Sequence, residues 1–180
     1  MLKIITDEET LRSKCRVCMP FEYEKIKKII AHQMIETINS SGNGVGLSAP
    51  QIGHKMRFFL VYLGEKRIPT IFINPTILSY SDEKEAGVEG CLSFPNHFGT
   101  VTRSKSIKMK YLKGTKMVIS EFEDFDARVI QHEYDHLDGI LCIDKMTDSF
   151  IEEPLAEKAK IQTFEEINPI KLEGISADFE

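Results

Sequence analysis

The residues best suited to chemistry stand together in Gln131-His132-Glu133-Tyr134-Asp135-His136. On a helix, histidines at i and i+4 project from one face a turn apart, so both imidazoles can reach one cation. Glu133, next to the first histidine, is then aimed at a water on that cation, where a carboxylate can take and return a proton. A hydrolytic metal site keeps three protein ligands and an open position, so a third donor is required. An H-E-x-x-H-x-x-G-x-x-H extension would demand a histidine where Cys142 stands, and His32, His54 and His97 sit in no ligand spacing. Cys91, in Glu89-Gly90-Cys91-Leu92-Ser93-Phe94-Pro95, is the candidate. Gly90 lets backbone or a ligand approach closely, and a thiolate would complete a Cys-His-His set. The residues alone leave Cys91 equally readable as a buried structural cysteine, and Cys142 as the fourth donor of a closed structural site.

These side chains need elements to hold them. A helix is expected from about residue 123 to 138, with Phe125, Val129, His132, Glu133 and His136 on one side and Gly139 ending it. A second amphipathic helix is expected over 22–39, where Ile26, Ile29, Ile30, Met34, Ile35 and Ile38 recur at spacings of three and four, with Ser40-Ser41-Gly42-Asn43-Gly44 stopping it. The β-prone runs 57–63, 68–73 and 106–112 are separated by Gly, Pro, Asn and Asp turn signals. They lie too close together for helical crossovers, which predicts antiparallel pairing. The expected fold is α+β, with short antiparallel sheets packed around the helix that carries the H-E-x-x-H segment.

With 180 residues, 42% apolar and 28% charged, the chain fits a single catalytic domain, read as residues 1–148. An acidic extension follows over 149–180, with Pro154 near its start, a helical pattern from Leu155 to Ile167 and then a polar tail expected to be partly disordered. The net charge of −5 and a pI near 5.6 argue against direct nucleic-acid binding, which usually needs a basic field. No apolar run approaches a bilayer span, and the acidic N-terminus is unlike a signal or transit peptide. Four scattered cysteines fit a reducing cytoplasm better than a disulfide scaffold. Cys15-Arg16-Val17-Cys18 has no second C-x-x-C to complete a zinc site, so its cysteines are read as small buried apolar residues.

Three segments stand in order: Gly44-Val45-Gly46-Leu47-Ser48-Ala49-Pro50-Gln51-Ile52-Gly53, then Glu89 to Ser93, then Gln131 to Gly139. Together they resemble the peptide deformylase family over nearly all of residues 1–148. The resemblance implies Cys91, His132 and His136 as metal ligands and Glu133 as acid and base. It also implies the Gln51 side-chain amide and the Leu92 backbone N–H as oxyanion donors. It implies ferrous iron, with zinc, nickel or cobalt able to take the site, whereas the donors by themselves suit zinc. The implied reaction removes the N-formyl group from the initiator methionine of nascent polypeptides and releases formate.

Under this resemblance Gly44, Gly46 and Gly90 suit backbone lying against an extended peptide. Val45, Phe125 and Val129 are candidates for the methionine pocket, though each could be ordinary core. Gln131, Glu89, Arg103 and Asp135 are expected to orient ligands and motif loops. Two departures stand out. Phe98 occupies the position where several family members carry a peptide-contacting arginine, and Ser48 replaces a common alanine, a change expected to adjust only loop packing. Nascent chains imply ribosome proximity. The 149–180 segment, with eight Asp or Glu against three Lys, is not expected to supply a ribosome-docking helix. The alternatives are a zinc peptidase or amidase of another kind and the closed structural site.

Overall fold

The computed structural model describes residues 2–151. A short helix α1 (Glu8–Leu11) precedes a helical run α2 over 23–40, which opens as Tyr23–Lys25, widens to a π-helical Ile26–Ile30 and continues as Ala31–Ser40. The strands are β1 (Gly46–Ser48), β2 (Phe58–Leu63), β3 (Ile68–Tyr80), β4 (Lys84–Cys91), β5 (Phe94–Ser104), β6 (Ser106–Lys113), β7 (Lys116–Glu123) and β8 (Met146–Ile151). Helix α3 (Asp124–Leu137) lies between β7 and β8 in sequence. One sheet runs β1-β2-β3-β6-β7 and the other β4-β5-β8, and every pairing within them is antiparallel.

The sequence of β2, Phe-Phe-Leu-Val-Tyr-Leu, is apolar on both parities because both faces of the larger sheet are covered. Phe58, Leu60 and Tyr62 join Ile71 and Ile73 in a core against Ile26, Ile30, Met34, Ile35 and Ile38 of α2. Phe59 and Val61 join Phe72, Ile107, Met109 and Tyr111 in a second core that receives Ala127, Ile130 and Leu137 of α3. The expected α2 stripe needs one correction: Ile29 is 52% exposed while Lys27 is buried. At about 100° per residue Lys27 falls inside the arc of Ile26, Ile30, Met34 and Ile38 and Ile29 falls opposite it, so the Lys27 stem enters the apolar face, its Nζ paired with Glu24 at 2.7 Å.

The predicted strands over 57–63, 68–73 and 106–112 correspond to β2, which begins one residue later, β3 and β6, but β3 runs on to Tyr80 through register shifts between Ile73 and Thr76 and between Ile77 and Ser79. β4, β5 and β7 have no counterpart among those expectations. β4 reads Lys-Glu-Ala-Gly-Val-Glu-Gly-Cys, poor in strand formers, and is held extended by pairing with β5 along its whole length. β8 continues the paired structure to Ile151, past the 148 boundary read from sequence. The helical pattern of Leu155–Ile167 and the polar tail lie outside the described residues. Among the described residues no helix is long and apolar enough to cross a membrane.

Candidate metal centre and substrate cavity

Helix α3 presents His132, Glu133 and His136 on a buried face, and Cys91 comes from the end of β4. One donor atom from each of Cys91, His132 and His136 lies within 4.8 Å of the others. The Cys91 Sγ is 3.4 Å from His136 Nε2. His132 turns its Nδ1 to Glu89 Oε2 at 3.0 Å. A carboxylate held ionised is acceptor-only, so His132 donates there and its Nε2 is left for a cation. Burial and the nearby His132 and Arg103 charges hold the His136 imidazole well below its ordinary pKa, and therefore neutral. His136 Nδ1 and Glu133 Oε2 are buried with no hydrogen-bond partner among the described residues. A sulfur, two imidazoles and an unpartnered buried carboxylate oxygen fit a divalent cation with an open position for water.

Glu133 lies against β1 at a glycine. A Cβ on Gly46 would stand 2.6 Å from Glu133 Oε1, so a side chain at that position would displace the carboxylate. Burial raises Glu133 to about 7, opposed by the His132 charge and Ser48. By protein groups alone, the hydrogen bond shared with Cys142 and then burial push the Cys91 thiol well up. A cation reverses that preference, because the liganding form is the thiolate. Cys142 is not among the three gathered donors, although it lies beside Cys91.

Gln51 sits in a 3-10 turn, Ala49–Ile52, directly after β1. Its Oε1 accepts from both the Ser48 N–H and the Ser48 hydroxyl at 2.8 Å. The amide nitrogen is thereby turned to Cys91 Sγ at 3.3 Å and to Ser93 Oγ at 3.2 Å. Ser48 thus does more than adjust packing, since it fixes which end of the Gln51 amide faces the centre. The Ser-x-x-Gln capping pattern carried that signal in the sequence.

Glu89 is the hub behind His132. It accepts from Arg103 Nε and Nη2, each at 2.8 Å, and from Arg128 Nη1 at 3.0 Å. Burial alone would raise its pKa, but the Arg103 and His132 hydrogen bonds outweigh that and hold the carboxyl far below its usual range. Arg103 also pairs with Asp135, which takes Lys145 Nζ at 2.7 Å. Gln131 points elsewhere, donating to Ser104 O at 2.8 Å and accepting from Ser104 N–H at 3.3 Å, so it fastens α3 to β5 rather than touching a ligand. Arg128 was missed in the sequence although it lies one turn before His132 on α3. Its Nη2 donates to Glu85 O at 2.7 Å and its Nη1 to Val101 O at 2.9 Å.

A cavity of about 480 Å³ opens beside the centre, within the usual range for a small-ligand site. Val45, Gly46, Gly90, Leu92, Phe125 and Val129 all line it, with Gln51, Cys91, His132 and Glu133. Val129 is buried and shared with the core beneath α3, whereas Phe125 is 59% exposed at the rim. Leu92 occupies the turn between β4 and β5, next to Cys91. Cys15 and Cys18 lie outside the cavity, both buried and free in separate cores, and burial raises their thiols to about 11 and about 12.

An α+β fold with a Cys-His-His cluster and a buried carboxylate facing an apolar cavity defines the class of a metal-dependent hydrolase. A model of the polypeptide deformylase family matches residues 1–150. The chain belongs to that family. It is 44% identical to the peptide deformylase of Thermotoga maritima over 141 residues, covering 78% of this chain and 83% of that one. Against peptide deformylase 1 of Bacillus subtilis it is 40% identical over 157 residues, 86% and 96% of the respective chains. The crystal structure of the Thermotoga maritima enzyme superposes with a TM-score of 0.73 at 42% identity, over 82% of this chain and 97% of that one. A peptide deformylase of Acinetobacter baumannii solved with bound Met-Ala-Ser superposes with a TM-score of 0.69 at 31% identity, over 81% and 98%.

Proposed function

We propose that this chain is a metal-dependent deformylase that hydrolyses the N-formyl group from the N-terminal formyl-methionine of newly made polypeptides and releases formate. The observation that carries this reading is the convergence of Cys91, His132 and His136 beside the buried Glu133 in a chain of the deformylase family. Cys91, His132 and His136 are assigned as the ligands. The family resemblance favours ferrous iron, while zinc, nickel or cobalt can take the same donors. A bound divalent cation would supply a Lewis acid that lowers the pKa of water and polarises the formyl carbonyl.

The remaining work falls to the protein. Glu133 takes the proton from the attacking water and passes it to the departing amine, and its raised pKa of about 7 suits exchange in both directions. The Gln51 amide, turned toward the centre by Ser48, and the Leu92 backbone N–H are assigned to the developing oxyanion. Glu89 keeps His132 in the tautomer and orientation that a ligand needs. Val45, Phe125 and Val129 are assigned to the methionine side chain, and the backbone around Gly46 and Gly90 to the extended peptide. The Met-Ala-Ser held by the Acinetobacter enzyme supports a product of this kind in the cavity. The substrate assigns the work to the cytoplasm near ribosomes, and no part of the chain is assigned to ribosome docking.

The test is anaerobic purification with metal analysis, joined to a formate assay on formyl-Met-Ala peptides for the wild type and Glu133→Ala. The wild type should release formate without cutting the peptide. Glu133→Ala should keep its metal and lose about 10²–10⁴ in turnover, the range of a positioned proton-transfer group. Unchanged turnover would remove Glu133 from the mechanism. Internal peptide cleavage without formate would make the chain a peptidase. Sulfur from both Cys91 and Cys142 on one ion would make the site structural.

A further inference from the structure

The segment before β1, part of which is assigned to the peptide backbone, cannot hold its own shape. Gly42-Asn43-Gly44-Val45-Gly46 carries three glycines, so its backbone has wide freedom and is ordered by contacts from outside. Ser41 Oγ accepts from the Gly44 N–H at 3.1 Å, and Val45 O accepts from the Tyr62 N–H at 2.9 Å. Gly44 O accepts from Arg67 Nη2 at 3.0 Å. Gly44, Val45 and Gly46 line the cavity and Arg67 does not, so the guanidinium meets this wall without facing the space the substrate would fill.

Arg67 reaches the carbonyl from the hairpin between β2 and β3. Its guanidinium carbon stands 5.4 Å from the centroid of the Tyr62 ring, which is buried and donates its hydroxyl to Asn39 Oδ1 at 2.8 Å. Stacking on a fixed ring sets the direction of a long, planar-headed side chain. The Arg67 backbone is left-handed, with a φ of 50°, a conformation that glycine adopts freely and residues with a Cβ rarely do. The turn is closed by backbone alone, Arg67 N–H to Gly64 O at 3.0 Å, so an arginine in so strained a place is explained by the work of its side chain. The same hairpin is tied to α3. The Gly64 N–H donates to both carboxylate oxygens of Asp126 at 3.1 Å, next to the cavity-lining Phe125.

We infer that Arg67 is a positioning residue for the substrate: through Gly44 O it holds residues 44–46 in place for the formylated peptide to pair along them, and the Gly64–Asp126 bond steadies the hairpin from which it reaches. The inference rests on the deformylase reading. Preforming that wall lowers the ordering cost of binding and leaves the reacting atoms untouched, so its loss registers in KM and not in kcat.

The experiment measures formate release from formyl-Met-Ala-Ala by the full-length, metal-loaded wild type, Arg67→Gly, Arg67→Ala and Arg67→Lys. It is joined to amide hydrogen exchange over residues 42–47 in the same enzymes without peptide. Arg67→Gly is the decisive variant, because glycine relieves the left-handed backbone while the bond to Gly44 is lost. It should raise KM about tenfold, the scale of one hydrogen bond from a charged group, with kcat within about twofold of wild type. Exchange over 42–47 should quicken by a similar factor while that of β3 and β6 holds. Arg67→Ala should behave alike, and Arg67→Lys should keep part of the wild-type KM, since an ammonium can donate to a carbonyl but lacks the planar fork. A wild-type KM in Arg67→Gly, or a fall in kcat in place of the rise in KM, overturns the inference. So does a raised KM with unchanged exchange over 42–47, because Arg67 would then act on the peptide itself. Each of these results leaves the deformylase reading standing, whereas no formate from the wild type removes that reading and the inference with it.

Discussion

The two sides of α3 are built on opposite principles. One side drops Ala127, Ile130 and Leu137 into the core formed by Phe59, Phe72, Met109 and Tyr111, where the Phe59 and Phe72 rings stack at 4.9 Å. The other side turns His132 and Arg128 to Glu89, and Asp135 to Arg103, with Glu89 and Arg103 each less than a tenth exposed. The first side is non-directional, and any well-shaped apolar set would serve it. The second is stable only as a complete set, because each buried charge is tolerable through its partners. A helix held in this way is anchored by the apolar side and aimed by the charged one.

Removing one member of the charged set should have the largest effect. Glu89→Ala leaves Arg103 to Asp135 and Arg128 to backbone oxygens alone, and frees the His132 ring. It should cost about 3–5 kcal/mol, as breaking a buried pair does, and weaken metal binding about 10–100-fold, as loss of a ligand's orienting partner does. Denaturant unfolding and competitive chelation measure the two losses, and a stable Glu89→Ala with normal metal content would break the comparison. Phe72→Ala on the apolar side should cost a similar ~3–5 kcal/mol through the cavity it leaves, yet the variant protein that remains folded should bind metal as the wild type does. A drop in metal affinity alongside the stability loss would mean that the two sides are coupled. Gln131→Leu should have the smallest effect, about 1–3 kcal/mol for the Ser104 groups left unpaired. Its metal content and kcat should hold, since Gln131 touches β5 and no ligand.

The elements of the apolar side were legible in the sequence, whereas the partners on the charged side were not. The 3.6-residue period of α3 and the apolar run of β2 announced the elements that meet there. Ile29 shows how that signal is misread by spacing alone, since the regular helical period already places it opposite the buried arc and Lys27 within it. Glu89, Arg103 and Asp135 could be grouped through the family resemblance. Their hydrogen bonds, the entry of Arg128 into the set and the separate role of Gln131 could not be read. β4, with few strand-forming residues, offered no local sign that it would carry both Cys91 and Glu89 to the helix.

By itself, then, the sequence determined that two histidines one turn apart would share a face with a carboxylate between them, since helix geometry fixes that spacing whatever surrounds it. With the Gln51 and Cys91 segments, it also determined the family. Tertiary structure alone decided that Cys91 Sγ would come within 3.4 Å of His136 Nε2, that Glu133 would rest on Gly46, and that Phe98 would stack on Phe150 beside the cavity. Each of these joins residues more than 40 positions apart, two of them between a strand and helix α3 and the third across the β5–β8 pair. Local propensity carries no information about such meetings, and only long-range packing of helices and antiparallel strands brings them about.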